Sequence, residues 1–179
     1  MRAYHGTTKS GLTQGLIEIQ RGEGLGFTAK PMSKEAIGYV IWLLRDESVK
    51  AALHLEDTSP GEWKKAFAKN LRDKDEANFV LYRGGRPIGW LKLNGLKGDK
   101  AWISMLAVHP AHQRMGAGRF AVSFAEQFAR EKGFGRLKIH TTPDNAPARA
   151  CYEGLGYALT DENERMNYCT YIKEFGRNT

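Results

Sequence analysis

Two cysteines among 179 residues, Cys151 and Cys169, are too few for a disulfide framework and lack the spacing of a zinc site. Both are expected as reduced thiols. No apolar run approaches the ~18 residues that a membrane-spanning helix requires. The opening "MRAYHGTTKSGLTQG" has no apolar core of the kind a signal peptide carries, so cytoplasmic residence is expected. There is no internal repeat, low-complexity tract or linker, and no run of five or more like charges. The net charge of +7 would suit a polyanion such as nucleic acid, a phosphorylated cofactor or an acidic membrane. Its cations are dispersed along the chain, whereas nucleic-acid binders concentrate them on one element or face. A nucleic-acid partner and a membrane partner are therefore not expected. What remains is ordinary: 41% hydrophobic and 26% charged residues, in a length that fits one domain with a real core.

Residues 1–24 read as an extension of unassigned role, with one alternating patch, Leu16 to Ile19, that permits a short strand. "LGFTAKP" then reads as a strand. Ser33 is placed to cap a helix whose Ala36, Ile37, Val40, Ile41 and Leu44 form one stripe. Ser59-Pro60-Gly61-Glu62 is a capping box opening a second helix with Trp63, Ala66, Phe67 and Leu71 on its apolar side. "NFVLYRGGRPIGWLKLNGL" predicts a hairpin turning at Gly84-Gly85, and "AWISMLAV" adds a third strand to the meander. A helix from Gly116 to Lys132 carries Phe120, Phe124 and Phe128 beside Ala117, Ala121 and Ala125, and Gly133 stops it. "RLKIHTT" follows as a strand parallel to the one before the helix. A short helix starts at Asp144 or Asn145, and "YALT", an acidic turn at Asp161 to Glu164 and a last strand "MNYCTYIKEF" complete the chain. The order βααβββαβαββ is one α/β domain with a mixed, largely antiparallel sheet flanked by helices.

Gln113, Gly116 and Gly118 form Q-x-x-G-x-G between a predicted strand and a predicted helix. Glycine costs about 1 kcal/mol inside a helix relative to alanine, so its presence there asks for a reason. The first amides of a helix lack internal partners and sit at the positive end of its dipole. Glycines let a phosphate approach such amides, and Arg114 and Arg119 add charge. An ordinary tight turn is the alternative on this stretch alone. No Gly-Lys-Ser/Thr follows, which excludes the Walker loop, and the third glycine of G-x-G-x-x-G is absent.

A second constellation lies downstream: Asn145, Ala148, Tyr152, Glu153, Leu155, Gly156 and Tyr157 spell N-x-x-A-x-x-x-Y-E-x-L-G-Y. With L-A-V-H-P (Leu106 to Pro110) and Q-R-M-G-A-G, in this order, the chain resembles the GNAT superfamily of N-acetyltransferases. The sharp match covers Ala101 to Tyr157, and element order extends it loosely to 25–175 of a domain expected at 25–179. The resemblance implies a sheet splayed between its fourth and fifth core strands, with acetyl-CoA as cosubstrate in the split. It implies backbone pairing of Leu106, Ala107 and Val108 with the pantetheine arm. Gln113, Arg114, Met115, Gly116, Ala117, Gly118 and Arg119 would hold the pyrophosphate, and Asn145 would contact the cofactor further along. Tyr152 matches the tyrosine that protonates the departing thiolate.

The chemistry asks for such groups. An acceptor of the lysine type has a pKa near 10.4 and must lose a proton before attack. The developing oxyanion needs fixed donors, for which an amide near Leu106 or Ala107 is suited. The leaving thiolate resembles a thiol of pKa about 8.5 and gains from a nearby acid. In relatives that acetylate ribosomal-protein N-termini, a glutamate stands five residues before the motif asparagine; here that position is His140. His140 shares a strand face with Lys138 and Thr142 and could accept the proton, or be a surface histidine without a role. Tyr152 could likewise be a core aromatic with its hydroxyl tied to backbone. Cys151 falls on the packed side of its helix, against a thiol-bound acetyl intermediate. His109 and His112 lack a Cys or carboxylate companion, so no metal is expected. Trp42, Trp63, Trp90 and Trp102 fall at core-compatible positions, with Trp90 and Trp102 alternatives for the acceptor wall. The acceptor is a small-molecule or a peptide amine, a homodimer is left open, and the competing class is a non-catalytic CoA-binding module.

Overall fold

A computed structural model describes residues 26–176. The strand expected at Leu16 to Ile19, with the whole 1–24 extension, lies outside the described residues. Among the described residues seven strands form one sheet in the order β1-β2-β3-β4-β5-β7-β6. Strand β1 (Phe27–Pro31), β2 (Glu76–Arg83), β3 (Arg86–Asn94) and β4 (Ala101–Val108) are an antiparallel series, with left-handed Gly84 and Gly85 turning the hairpin. Strand β5 (Arg136–Thr141) is parallel to β4, and β7 (Tyr168–Glu174) inserts antiparallel between β5 and β6 (Ala158–Asn163). This is the mixed, mainly antiparallel sheet that the sequence implied.

Helices cover both faces. On one face α1 (Ile37–Leu44), α2 (Glu47–Leu53) and α3 (Pro60–Asn70) bury Val40, Leu43, Leu44 and Phe67 against Val80, Trp90 and Ala107 of the sheet. The opposite face carries α4 (Ala117–Glu131) and α5 (Ala146–Glu153) over Leu81, Leu91, Ile103, Leu137 and Ile139. Alanines 117, 121, 125 and 129 let α4 approach closely, while Phe124 and Phe128 meet Phe79 edge-on at 4.8 and 5.1 Å. Burying such side chains contributes roughly 1.5–3 kcal/mol each.

Several local expectations are corrected. Helix α2 was not foreseen; Asp46 caps it by accepting from the Ser48 and Val49 amides. Ser33 does not cap α1, whose N-cap is Ala36 without a side-chain bond; the Ser33 carbonyl instead accepts from Ala36 in a preceding turn. Trp42 is 56% exposed, stacked on His109 at 5.1 Å, rather than in the core. Asp161 and Glu162 belong to β6, and the turn follows them.

Candidate active site

The parallel pairing of β4 with β5 stops after three residues, Ala101 to Ile103 against Leu137 to Ile139. Beyond it, among the described residues, β4 pairs only with β3, and β5 only with β7. The sheet therefore opens along Ser104 to Val108. A cavity of about 250 Å³ occupies the mouth of this split. Tyr152 and Ile139, from the α4–α5 side, share it with His140, Ser104, Met105 and the Ala52–His54 end of α2, from the other. One opening thus connects the two faces of the sheet.

The glycine-rich turn stands at the far end of β4. Gln113 is extended, Arg114 and Gly116 are left-handed at φ 58° and 91°, and Gly116 is the N-cap of α4. At Gly116 such a conformation is free of the penalty of about 1–2 kcal/mol that a Cβ brings. No backbone amide from Arg114 to Arg119 donates to a protein acceptor among the described residues. The first intrahelical bond is that from the Phe120 amide to the Gly116 carbonyl. A run of unpaired amides at a helix N-terminus is the fit that a pyrophosphate requires. Side chains in the stretch divide. Gln113 turns back, its Nε2 donating to the Val108 carbonyl at 2.9 Å, and Arg119 donates to the Gly154 carbonyl at 3.3 Å, tying α4 to α5. Arg83 of β2 reaches the Met115 sulfur at 2.8 Å and adds a cation that sequence reasoning had not placed here.

Helix α5 begins at Asn145, whose Oδ1 accepts from the Ala148 amide at 3.3 Å while the residue lines the cavity. Two turns on, Tyr152 is 7% exposed and lies 5.7 Å from the Tyr171 ring and 6.2 Å from Tyr157. Its hydroxyl has no protein partner among the described residues, so it is not a core phenol tied to backbone. Burial, with Cys151 and Tyr171 beside it, pushes its pKa well above the ordinary value, which keeps the proton in place.

His140 is exposed on the cavity wall, its Nδ1 3.1 Å from the Thr170 hydroxyl, with the Tyr168 ring edge-on. Partial burial and then the Lys138 charge lower its pKa, against an opposing effect of Asp161. The neutral imidazole is therefore the form present at pH 7. Cys151 is half-buried, with burial raising its thiol pKa, and Cys169 is fully buried; neither lines the cavity. Trp90 is 1% exposed with its Nε1 donating to Asn78, and Trp102 carries the Lys138 ammonium on its ring, so neither forms the cavity wall. Asp161 accepts from the Tyr168 hydroxyl at 2.8 Å and sits beside the mouth.

Sequence reasoning missed Ser104, Tyr168, Thr170 and the α2 end. Of these Ser104 had a signal, as the one polar residue in "AWISMLAV".

Residues 37–157, more than half of the chain, match the acetyltransferase (GNAT) family. The ribosomal protein bS18-alanine N-acetyltransferase of Escherichia coli is 29% identical over 127 residues, covering 70% of this chain and 83% of that protein. A spermidine N-acetyltransferase from Vibrio cholerae, solved with CoA and spermine, superposes with a TM-score of 0.74 at 17% identity, over 83% of this chain and 95% of that one. The PaiA N-acetyltransferase of Thermoplasma acidophilum, solved with coenzyme A, gives 0.70 at 17% identity, over 83% and 99%. Among the described residues no helix is long and apolar enough to cross a membrane.

Proposed function

This chain belongs to the acetyltransferase (GNAT) family, and from that premise we propose that it moves an acetyl group from acetyl-CoA to a primary amine. Transfer is by direct attack, with both substrates held together in the split. The observation that carries this reading is the opening between β4 and β5, whose cavity has a buried phenol on one side and a neutral histidine on the other, with unpaired amides beyond the end of β4.

Each residue has a task in that arrangement. The backbone of Leu106, Ala107 and Val108, unpaired on its β5 side, receives the pantetheine arm as an added strand would. One of the first two amides polarises the thioester carbonyl. Amides from Arg114 to Arg119 receive the pyrophosphate, with Arg83 and Arg114 supplying charge nearby. The Asn145 side-chain NH2, not used in capping, is directed to the cofactor. Tyr152 delivers its proton to the departing sulfur. In the tautomer whose Nδ1–H donates to the Thr170 hydroxyl, His140 keeps the Nε2 lone pair for the proton that the amine must shed. Holding amine and thioester together supplies much of the remaining acceleration. The raised thiol pKa of Cys151 and its place outside the cavity support direct transfer over an acetyl-enzyme.

The acceptor is a small-molecule or peptide amine; one relative acts on a ribosomal protein and a structural neighbour holds spermine. A panel of spermidine, an aminoglycoside, free amino acids and an alanine-initiated peptide, incubated with acetyl-CoA, tests the proposal by thiol release. Turnover of at least one amine is expected. A protein that binds CoA but acetylates none of these would be a binding module instead.

A further inference from the structure

Resting on the acetyl-transfer reading, we propose that Ser104 is a binding residue for the acceptor amine, held as an obligate hydrogen-bond acceptor by a buried polar chain to Glu76. Strands β3 and β4 slip register here: Lys92 faces Met105 and Leu93 faces Ile103, which leaves Ser104 as the extra residue of a β-bulge. A bulge re-aims a side chain and is common beside active sites. Met105 packs with the core on the α1–α3 side and Ile103 with the core on the other, so the bulge sets Ser104 at the change of face, on the cavity wall. Extending the β4–β5 register by one residue places it opposite His140, across the opening split.

The hydroxyl of Ser104 lies 2.5 Å from Asn94 Oδ1 and 3.3 Å from the Lys92 carbonyl. Asn94 Nδ2 donates to Glu76 Oε1 at 3.1 Å, and the Lys92 ammonium reaches the same oxygen at 2.9 Å. Glu76 and Lys92 side chains are only 13% and 15% exposed, and Glu76 Oε2 is buried without a partner among the described residues. A carboxylate accepts only, so it fixes the amide of Asn94 with NH2 toward Glu76 and oxygen toward Ser104. The single hydroxyl hydrogen of Ser104 is thereby committed inward. Only its lone pairs remain for the cavity. His140 takes one of the three protons of the incoming ammonium, which frees the nitrogen lone pair for the thioester, and Ser104 accepts one of the two N–H bonds that remain.

The test uses the full chain and the fastest of three probes: spermidine, kanamycin and an alanine-initiated hexapeptide. Ser104→Ala is expected to raise KM for the amine roughly ten-fold, as the loss of one hydrogen bond of about 1.4 kcal/mol does, and to leave acetyl-CoA affinity unchanged. Ser104→Thr, which keeps the hydroxyl, restores most of it. The double variant Glu76→Gln with Lys92→Met removes both charges together, avoids stranding one of them, and raises the amine KM in the same direction because Asn94 is free to flip. An unchanged amine KM in Ser104→Ala, with wild-type turnover normal, overturns this inference alone. Wild-type protein that binds acetyl-CoA and acetylates none of the probes overturns the acetyl-transfer reading and this inference with it.

Discussion

Replacing Tyr152 with phenylalanine removes one oxygen and nothing else. The ring stays packed 5.7 Å from Tyr171 and 6.2 Å from Tyr157, and the hydroxyl gives up no protein hydrogen bond among the described residues. Stability should therefore change by less than about 0.5 kcal/mol. Catalysis should not be spared. A thiolate of pKa about 8.5 released at pH 7 lies roughly 1.5 units from protonation, or about 2 kcal/mol, which corresponds to ~30-fold in rate. The phenol is 7% exposed, and a bare thiolate in so dry a place costs more than in water, which moves the expectation toward ~100-fold. Because burial raises the Tyr152 pKa, the wild-type phenol holds its proton throughout the neutral range and the deficit should persist across it. The assay is thiol release at saturating acetyl-CoA and amine, paired with a urea melt. A folded Tyr152→Phe protein with kcat within three-fold of wild type would refute the reasoning.

Other consequences are as specific. Partial burial and Lys138 lower the His140 pKa, so activity should fall only as pH drops beneath the ordinary histidine range, and His140→Ala should be slower with a flattened acidic limb; an unchanged profile rejects its role as base. The folded state binds fewer protons than the unfolded chain in the same window, so wild-type stability also declines as pH falls through it, and His140→Ala should lose that component in urea melts. Gly116→Ala forces a side chain to φ 91° and should cost about 1–2 kcal/mol of stability, with weaker acetyl-CoA binding by calorimetry. Cys151→Ala should keep near-wild-type kcat, since its thiol lies outside the cavity and burial holds it protonated; a large loss would point to an acetyl-enzyme.

Much of the fold was legible because its elements are strongly periodic. The α4 stripe of phenylalanines and alanines, the Gly84-Gly85 hairpin and the Ser59–Glu62 capping box all appear as read. Helix α2 was not legible: it buries only Val49, so "ESVKAAL" carries no stripe, and its cap at Asp46 is one polar residue among several. That omission hid the Ala52–His54 wall of the cavity. The acidic run at Asp161 to Glu164 misled because charged residues suggest a turn, whereas β6 is an edge strand whose side chains mostly face water. The turn at Gln113 to Gly118 was legible as backbone, but the destinations of its side chains were not. Gln113 and Arg119 serve Val108 and Gly154, contacts set by tertiary packing that no local pattern encodes. Ser104, the one polar residue of an apolar strand, was passed over, because its partners Asn94 and Glu76 come from two other strands.

The central claim is direct passage of an acetyl group from CoA to an amine at the split. A rapid-quench single turnover with acetyl-labelled CoA and the best amine follows the label itself. Label is expected to leave CoA and reach the amine in one phase, coincident with thiol release, with none bound to protein at any time. Label that accumulates on the protein, or that stays on CoA with every primary amine offered, contradicts that claim.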